Sequence, residues 1–495
     1  MAIISEYTSY DATGLADLIQ RKEIDTQDVI ESAIAQINKR NPNLNAVVEF
    51  DFERASTEAQ SQIESTPFFG VPFLLKDLLG EDKGRVTTAS CPPMKDWKAS
   101  DDSEMVRRFK ASGLRILGRT NTPQLGIYGV TESEFRGICK NPWNNNHTPG
   151  GSSGGSACAV ASGMVPIAHG GDGGGSIRIP AAHCGLVGLK TTRGLQPAGP
   201  FRGERWNGFV CEGVLTKSVR DTARALDVTS GMDIGAPYSV PKPAQSYETL
   251  MKHSPKKCKI AFCKEALFGK DTHPDNIAAL EHTLSLLENL GHTVIEAKPN
   301  FDRESLIRAY FVVVATGVGL GIRQMEDKLQ RKISESELEM PSWALATIAE
   351  KVSAAEYSWH VDKIFAESRK IAHFFEEYDL FITPTTACPP VEIGTFSMGR
   401  REKIQIQFLR RFPIRKLIDK AIEQLATNAL NATPNTMIFN QTGQPAISVP
   451  LYWNSQNLPI GTQIVGGYAK EALLLQIAHQ LEVAQPWMDR YQTIN

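Results

Sequence analysis

Residues 148–190, TPGGSSGGSACAVASGMVPIAHGGDGGGSIRIPAAHCGLVGLK, constrain this chain more than any other stretch. Their glycine and serine content alone would describe a flexible linker. Small apolar residues are threaded through it, however. Ala157, Val160, Ala161 and Met164 fall at helical spacing, and Gly185-Leu-Val-Gly-Leu reads as a buried turn or strand. Such a stretch is tightly packed backbone, built so that main chain can approach something closely. From these residues alone, three uses stay open. Glycine-rich loops can aim N–H groups at a phosphate, although no P-loop pattern is present and GDGGGS is a weak dinucleotide-loop match. Two loops flanking a small-residue helix can be structural turns. Or Ser176, which follows Gly173, Gly174 and Gly175, can sit where consecutive N–H groups form an oxyanion hole for acyl transfer.

An acyl-transfer serine needs a base. His147, His169 and His183 lie near the stretch, yet nothing resembles GxSxG or a strand-borne histidine with an acidic orienter. A lysine held neutral is the other option. Lys76 interrupts the apolar run FFGVPFLLKDLLG, residues 68–80, which reads as a buried strand. Burial disfavours the ammonium and makes a lysine a base. The plainer reading is a lysine extending from a strand end and paired with Asp77. Sequence physics leaves both standing.

Strand and helix signals alternate along the chain, which argues for an α/β sheet. Asp25 or Thr26 caps a helix with Val29, Ile30, Ala33, Ile34 and Ile37 on one face, and Asn41-Pro42 closes it. Residues 45–50 read as a strand, 52–64 and 102–113 as helices, 114–118 as a strand and 218–231 as a helix. Residues 232–256, rich in proline and serine, read as a surface excursion. Strand 259–263, helix 274–290 and strand 293–297 form a βαβ-like unit with parallel pairing. Residues 303–378 read as mostly helical, followed by a strand at 378–385. The expected organisation is a single domain over 1–495, with a mostly helical insertion around 300–430. The basic segment 398–420 reads either as a solvated helix face or as a partner patch, membrane-surface patch or lid.

Composition excludes several classes. With 41% hydrophobic and 22% charged residues and a net charge of −2, the chain lacks the positive field of a nucleic-acid binder. Eight cysteines, at 91, 139, 158, 184, 211, 258, 263 and 388, form no CxxC pair and read as reduced thiols of a cytoplasmic protein. The start, MAIISEYTSYDATG, shows no signal peptide. No apolar run reaches the ~18–20 residues of a membrane span; Phe311 to Leu320 comes nearest.

Taken together, these motifs resemble the amidase signature family. GGSSGGSACAVASG…DGGGSIRIPAAHCGLVGLK resembles its signature, and FGVPFLLKD its lysine segment. TNTPQLGIYGVTES with NPWN resembles the stretch between them, and NQTGQPAISVP…LPIGTQIVGG its C-terminal end. The likeness runs from roughly residue 12 to 483 and is weakest between about 230 and 430. Within the family, NPWN and TESE resemble bacterial amidases of the 6-aminohexanoate-cyclic-dimer hydrolase type.

The resemblance implies an α/β amidase-signature fold, a large mixed twisted β-sheet covered by helices on both faces. It implies a Ser-cisSer-Lys triad: Ser176 as nucleophile, Ser152 as the bridging serine with a cis bond to Gly151, and Lys76 as base. Gly173, Gly174, Gly175 and Ser176 would supply the oxyanion hole. Ser153 would support the hydrogen-bond network, with Asp172 and Arg178 paired to brace the loop. Tyr128, Thr131 and Glu132 would line an acyl pocket, and Cys388, in a proline-rich loop after a strand, is a further lining candidate. One departure is visible: where many family members carry a threonine, the loop here is His169-Gly-Gly-Asp-Gly-Gly-Gly. The implied function is hydrolysis of a small-molecule amide, linear, cyclic or aryl, in a cytoplasmic enzyme. No cofactor, metal, nucleic acid or membrane span is expected, and a homodimer is allowed. Two alternatives stand beside it: the amidase subunit of a tRNA-dependent amidotransferase, and a non-catalytic scaffold.

Overall fold

Short runs of β-branched and apolar residues, each bounded by turn residues, pair into one eleven-stranded sheet. The computed structural model describes residues 3–59, 66–269, 271–397 and 430–494, with the single positions 399, 404 and 422. Its strands are β1 (Val47–Phe50), β2 (Pro72–Lys76), β3 (Arg115–Thr120), β4 (Glu132–Ser133), β5 (Gly137–Ile138), β6 (Ile167–Asp172) and β7 (Val187–Lys190). They continue with β8 (Cys211–Thr216), β9 (Lys259–Phe262), β10 (Thr293–Glu296), β11 (Leu380–Pro384), β12 (Ala446–Trp453) and β13 (Pro459–Gly466). The sheet order is β1-β3-β2-β6-β8-β7-β12-β13-β11-β9-β10, and β4 and β5 form a separate hairpin. The sheet is mixed. β2 runs parallel to β3 and β6, whereas β6 and β8 are antiparallel.

That parallel pairing positions the site. β2 ends at Lys76 and β6 ends at Asp172, so Lys76 and the loop 173–176 leave the sheet at the same edge. Helix α1 (Gly154–Ala161) precedes β6, and its N-terminus returns to that edge. The Ser153 amide donates to the Ser176 carbonyl at 3.2 Å, and the Gly171 amide to Ser153 Oγ at 3.2 Å. Every residue of α1 is buried, which accounts for its small side chains. Helix α2 (Arg178–Cys184) follows the loop.

Several expectations need correction. The helix Thr26–Leu44 runs past Asn41-Pro42, which sits in its last turn; Asn45, in the left-handed region, closes it. The strand in 68–80 is confined to Pro72–Lys76. Residues 303–378 do fold as helices, α3 (Arg303–Leu329), α4 (Met340–Ala349) and α5 (Ala354–Glu377). β11, where the strand at 378–385 was expected, pairs with both β9 and β13 inside the main sheet. The basic segment 398–420 lies outside the described residues, apart from positions 399 and 404. The 259–297 unit pairs as expected, with β9 and β10 adjacent and parallel.

The membrane reading also changes. Among the described residues α3 is long and apolar enough, by length and composition, to cross a membrane, and half of its most apolar window is buried. Its apolar residues are used in packing: Leu306, Ala309, Val313 and Ala315 are buried in the core, and another face of α3 forms a wall of the site described next.

Candidate active site

Lys76 is buried, with 1% of its surface exposed. Its Nζ donates to Ser152 Oγ at 2.7 Å and lies 3.5 Å from the Gly171 carbonyl. Burial pushes its pKa down to about 7, against the opposing pull of Asp172 and Glu212. Asp77 does not pair with it. That carboxylate accepts from the Thr88 amide at 2.8 Å and from the Thr88 hydroxyl, and lies 3.6 Å from Arg136 Nε. The reading of Lys76 as a surface lysine paired with its neighbour therefore fails.

The Gly151–Ser152 peptide is cis. A Cβ at Gly151 would lie 2.6 Å from the Val130 carbonyl oxygen, so this turn admits only glycine. Thr131 Oγ1 donates to the Gly150 carbonyl at 2.9 Å and Thr122 Oγ1 to the Ser152 carbonyl at 2.8 Å. Both hold the turn from behind.

Asp172 organises the second loop. It accepts from the amides of Gly175 at 2.7 Å and Ile177 at 3.2 Å, and from Arg178 Nε at 3.0 Å and Nη2 at 2.9 Å. The Gly175 amide is thus committed to a carboxylate and is not available to an oxyanion. This narrows the expected donor set to Gly173, Gly174 and Ser176. Arg178 is fully buried and also donates to Gln463 Oε1 and Asn440 Oδ1, each at 2.6 Å, and to the Thr436 carbonyl at 3.0 Å. Burial acts to raise the Asp172 carboxyl, but the Arg178 and Asn440 contacts outweigh it and hold the carboxyl well below the usual range. The pair braces the loop, as expected.

The glycines also answer to packing. The Tyr310 hydroxyl, on α3, donates to the Gly173 carbonyl at 3.3 Å, and a Cβ on Gly174 would overlap that hydroxyl. Thr436 Oγ1 donates to the Gly174 carbonyl at 2.7 Å. His169 is structural: its Nδ1 faces the Lys76 amide at 3.4 Å and its Nε2 pairs with Glu212 at 2.9 Å.

Two cavities meet at Ser176, sharing Gly126 and Trp206 as walls. The first contains Lys76, Ser152 and Gly173. The second is apolar and contains Tyr128, Ile179, Val314 and Met437. Helix α3 lines both: Tyr310, Phe311 and Val314 face the second, and Gly317, Val318, Gly321, Met325 and Lys328 face the first. Of the expected pocket residues, Tyr128 alone lines one of these two cavities. Thr131 sits behind the cis turn, Glu132 accepts from the Gly394 amide at 3.1 Å, and half-buried Cys388 lines neither cavity. Tyr310, Trp206 and Thr436 went unread in the sequence. Asn440 and Gln463 carried a signal, lying in the NQTGQP and GTQIVGG segments. Among the described residues no His/Cys/Asp/Glu cluster could hold a metal ion.

Fold and site define a class of protein, and comparison with family models gives the same one. The Amidase model matches residues 28–475, and the chain belongs to that family. Within it, the chain is 36% identical over 487 residues to a 6-aminohexanoate-cyclic-dimer hydrolase of Pseudomonas sp. (strain NK87), covering 97% of this chain and 96% of that one. An acylamidase of Rhodococcus erythropolis is 31% identical over 489 residues, covering 97% and 96%. A solved structure of 6-aminohexanoate cyclic dimer hydrolase complexed with substrate matches with a TM-score of 0.89 at 34% identity, covering 99% of this chain and 100% of that one.

Proposed function

We propose that this chain hydrolyses the C–N bond of a small-molecule carboxamide through an acyl-enzyme on Ser176. The observation that carries the reading is the 2.7 Å hydrogen bond from a buried Lys76 to the cis-linked Ser152. Lys76 in its neutral form takes a proton from Ser152 as Ser152 takes one from Ser176. Ser176 Oγ attacks the carbonyl carbon, and the negative charge moves onto the carbonyl oxygen. The amides of Gly173, Gly174 and Ser176 stabilise that oxygen. The C–N bond then breaks as the proton returns through Ser152 to the departing nitrogen, releasing the amine. Water, deprotonated by the same relay, attacks the acyl carbon and frees Ser176 with the acid. The scheme requires no cofactor. The unpaired cysteines, seven of them buried, support a reducing, cytoplasmic setting.

A fluorophosphonate probe tests the nucleophile. Intact-mass analysis should show one adduct on the wild type and none on Ser176→Ala, and a panel of linear, cyclic and aryl amides should be hydrolysed by the wild type alone. An adduct mapped to another residue, or a wild type inert to a probe that labels a related amidase, would sink the proposal.

A further inference from the structure

The two cavities differ in their far ends, and the difference identifies the substrate class. This step rests on the mechanism proposed above. In that mechanism the proton reaches the departing nitrogen through Ser152, so the amine half must lie beside Ser152. Ser152 lines the first cavity and not the second. The amine half therefore occupies the first cavity, and the acyl half occupies the second, against Phe311, Val314 and Leu345.

Beyond Leu78 and Met94 the first cavity is charged, lined by Glu81, Arg202, Arg205 and Lys328. Arg205 is committed: its Nη1 pairs with Glu212, and its Nη2 lies 3.7 Å from Glu81. Arg202 is half-buried yet makes no hydrogen bond or ion pair among the described residues. Burial, and the Arg205 charge beside it, act against its protonated form, while Glu81 and Glu212 favour it. Lys328 Nζ stands 3.9 Å from the centroid of the Trp97 ring and, among the described residues, forms no ion pair. Of the three cations at this end, Arg205 is matched by Glu212 from outside the cavity lining, so Arg202 and Lys328 share one lining carboxylate, Glu81, and one positive charge is left in a partly desolvated wall. Such a wall favours an anion. The fork of an unpartnered guanidinium matches a carboxylate in two-point geometry.

We infer that the substrate is an apolar N-acyl amide whose amine half carries a carboxylate, an N-acyl amino acid in chemical class, held at that carboxylate by Arg202 and Lys328. Hydrolysis would then release a free amino acid and an apolar acid.

Calorimetric binding to the Ser176→Ala protein tests this without turnover. The probes are N-octanoyl-4-aminobutyrate and its neutral carboxamide. The carboxylate should bind at least ~10-fold more tightly at low salt, and the preference should shrink as salt rises. Introducing Arg202→Gln or Lys328→Gln should each reduce that ratio, and the double variant should bring it near one. Equal binding of the two probes, tighter binding of the carboxamide, no binding of either, or a preference that survives the double variant would overturn the inference. A thermal melt matching the parent protein shows that each variant folds. Fluorophosphonate labelling of Ser176 reports separately on the hydrolytic mechanism, so the two failures are distinguishable.

Discussion

At the scale of single residues, the decisive fact is where the proton on Lys76 resides. A lysine in water stays charged to pH ~10.4. Burial at the end of β2 brings this one down to about 7, so the neutral form is a major species at physiological pH. Only that form accepts a proton, so kcat/KM should rise with pH through about 7 and level off above it. A profile flat from pH 6 to 9 would remove Lys76 from the role of base. Lys76→Ala should lower kcat/KM by about 10²–10⁴-fold, the usual contribution of a positioned base. Lys76→Arg should not rescue it, because a guanidinium stays protonated. Lys76 inside FFGVPFLLKDLLG and Ser176 after three glycines stood out in the sequence by their settings, but their roles, and that of Ser152, were legible only through the family resemblance. The partner of Asp77 was not legible. Thr88 lies 11 residues on, in a loop with no periodic pattern, and only the fold shows that it engages the Asp77 carboxylate in place of Lys76.

At the scale of elements, the site is an agreement between a loop and a helix. The loop 173–176 appeared glycine-rich to free its N–H groups, yet one of those groups, on Gly175, is spent on Asp172. Gly174 is small because α3 brings the Tyr310 hydroxyl against it. Gly174→Ala should therefore displace the loop and cut kcat strongly. Adding Tyr310→Phe removes the atom in closest conflict and should restore part of the loss, although the ring carbon that carried the hydroxyl would still be 3.1 Å from the new Cβ. Steady-state kinetics on the two single variants and the double variant checks this. Purely additive losses would mean that the two residues do not compete for the space. None of this could be read beforehand. α3 lies in the region of weakest family likeness; its apolar residues are divided between the core, where Leu306, Ala309, Val313 and Ala315 are buried, and the face that lines the two cavities. Strand positions fared better, because alternation and turn residues are local signals.

At the scale of the whole molecule, residues from Lys76 to Gln463 converge on one sheet edge, and the long-range polar contacts that hold them also set how stability depends on pH. Arg178 reaches Gln463 across 285 positions, a distance no motif spacing encodes. Two buried aspartates act in opposite directions. Asp172 is held below its ordinary value, so its contribution is present above pH ~4 and is lost as pH falls toward the folded value. Asp221 caps the helix Ala12–Gln20, accepting from the amides of Ala12 at 2.7 Å and Thr13 at 2.8 Å. Burial first, and then the nearby Asp11 charge, raise its pKa. The folded state therefore holds the Asp221 proton at a pH where the unfolded chain has released it. From pH ~4 upward the unfolded state binds fewer protons at this group, so stability falls as pH rises toward the folded value. Asp221→Asn keeps one acceptor for the two amides and removes the titration. Thermal unfolding of both proteins from pH 4 to 8 should show the wild type losing Tm relative to the variant as pH rises. A Tm difference that stays constant over that range would mean that Asp221 is charged in the folded protein throughout, with Arg220, 2.6 Å from both Asp11 oxygens, neutralising the cluster alone.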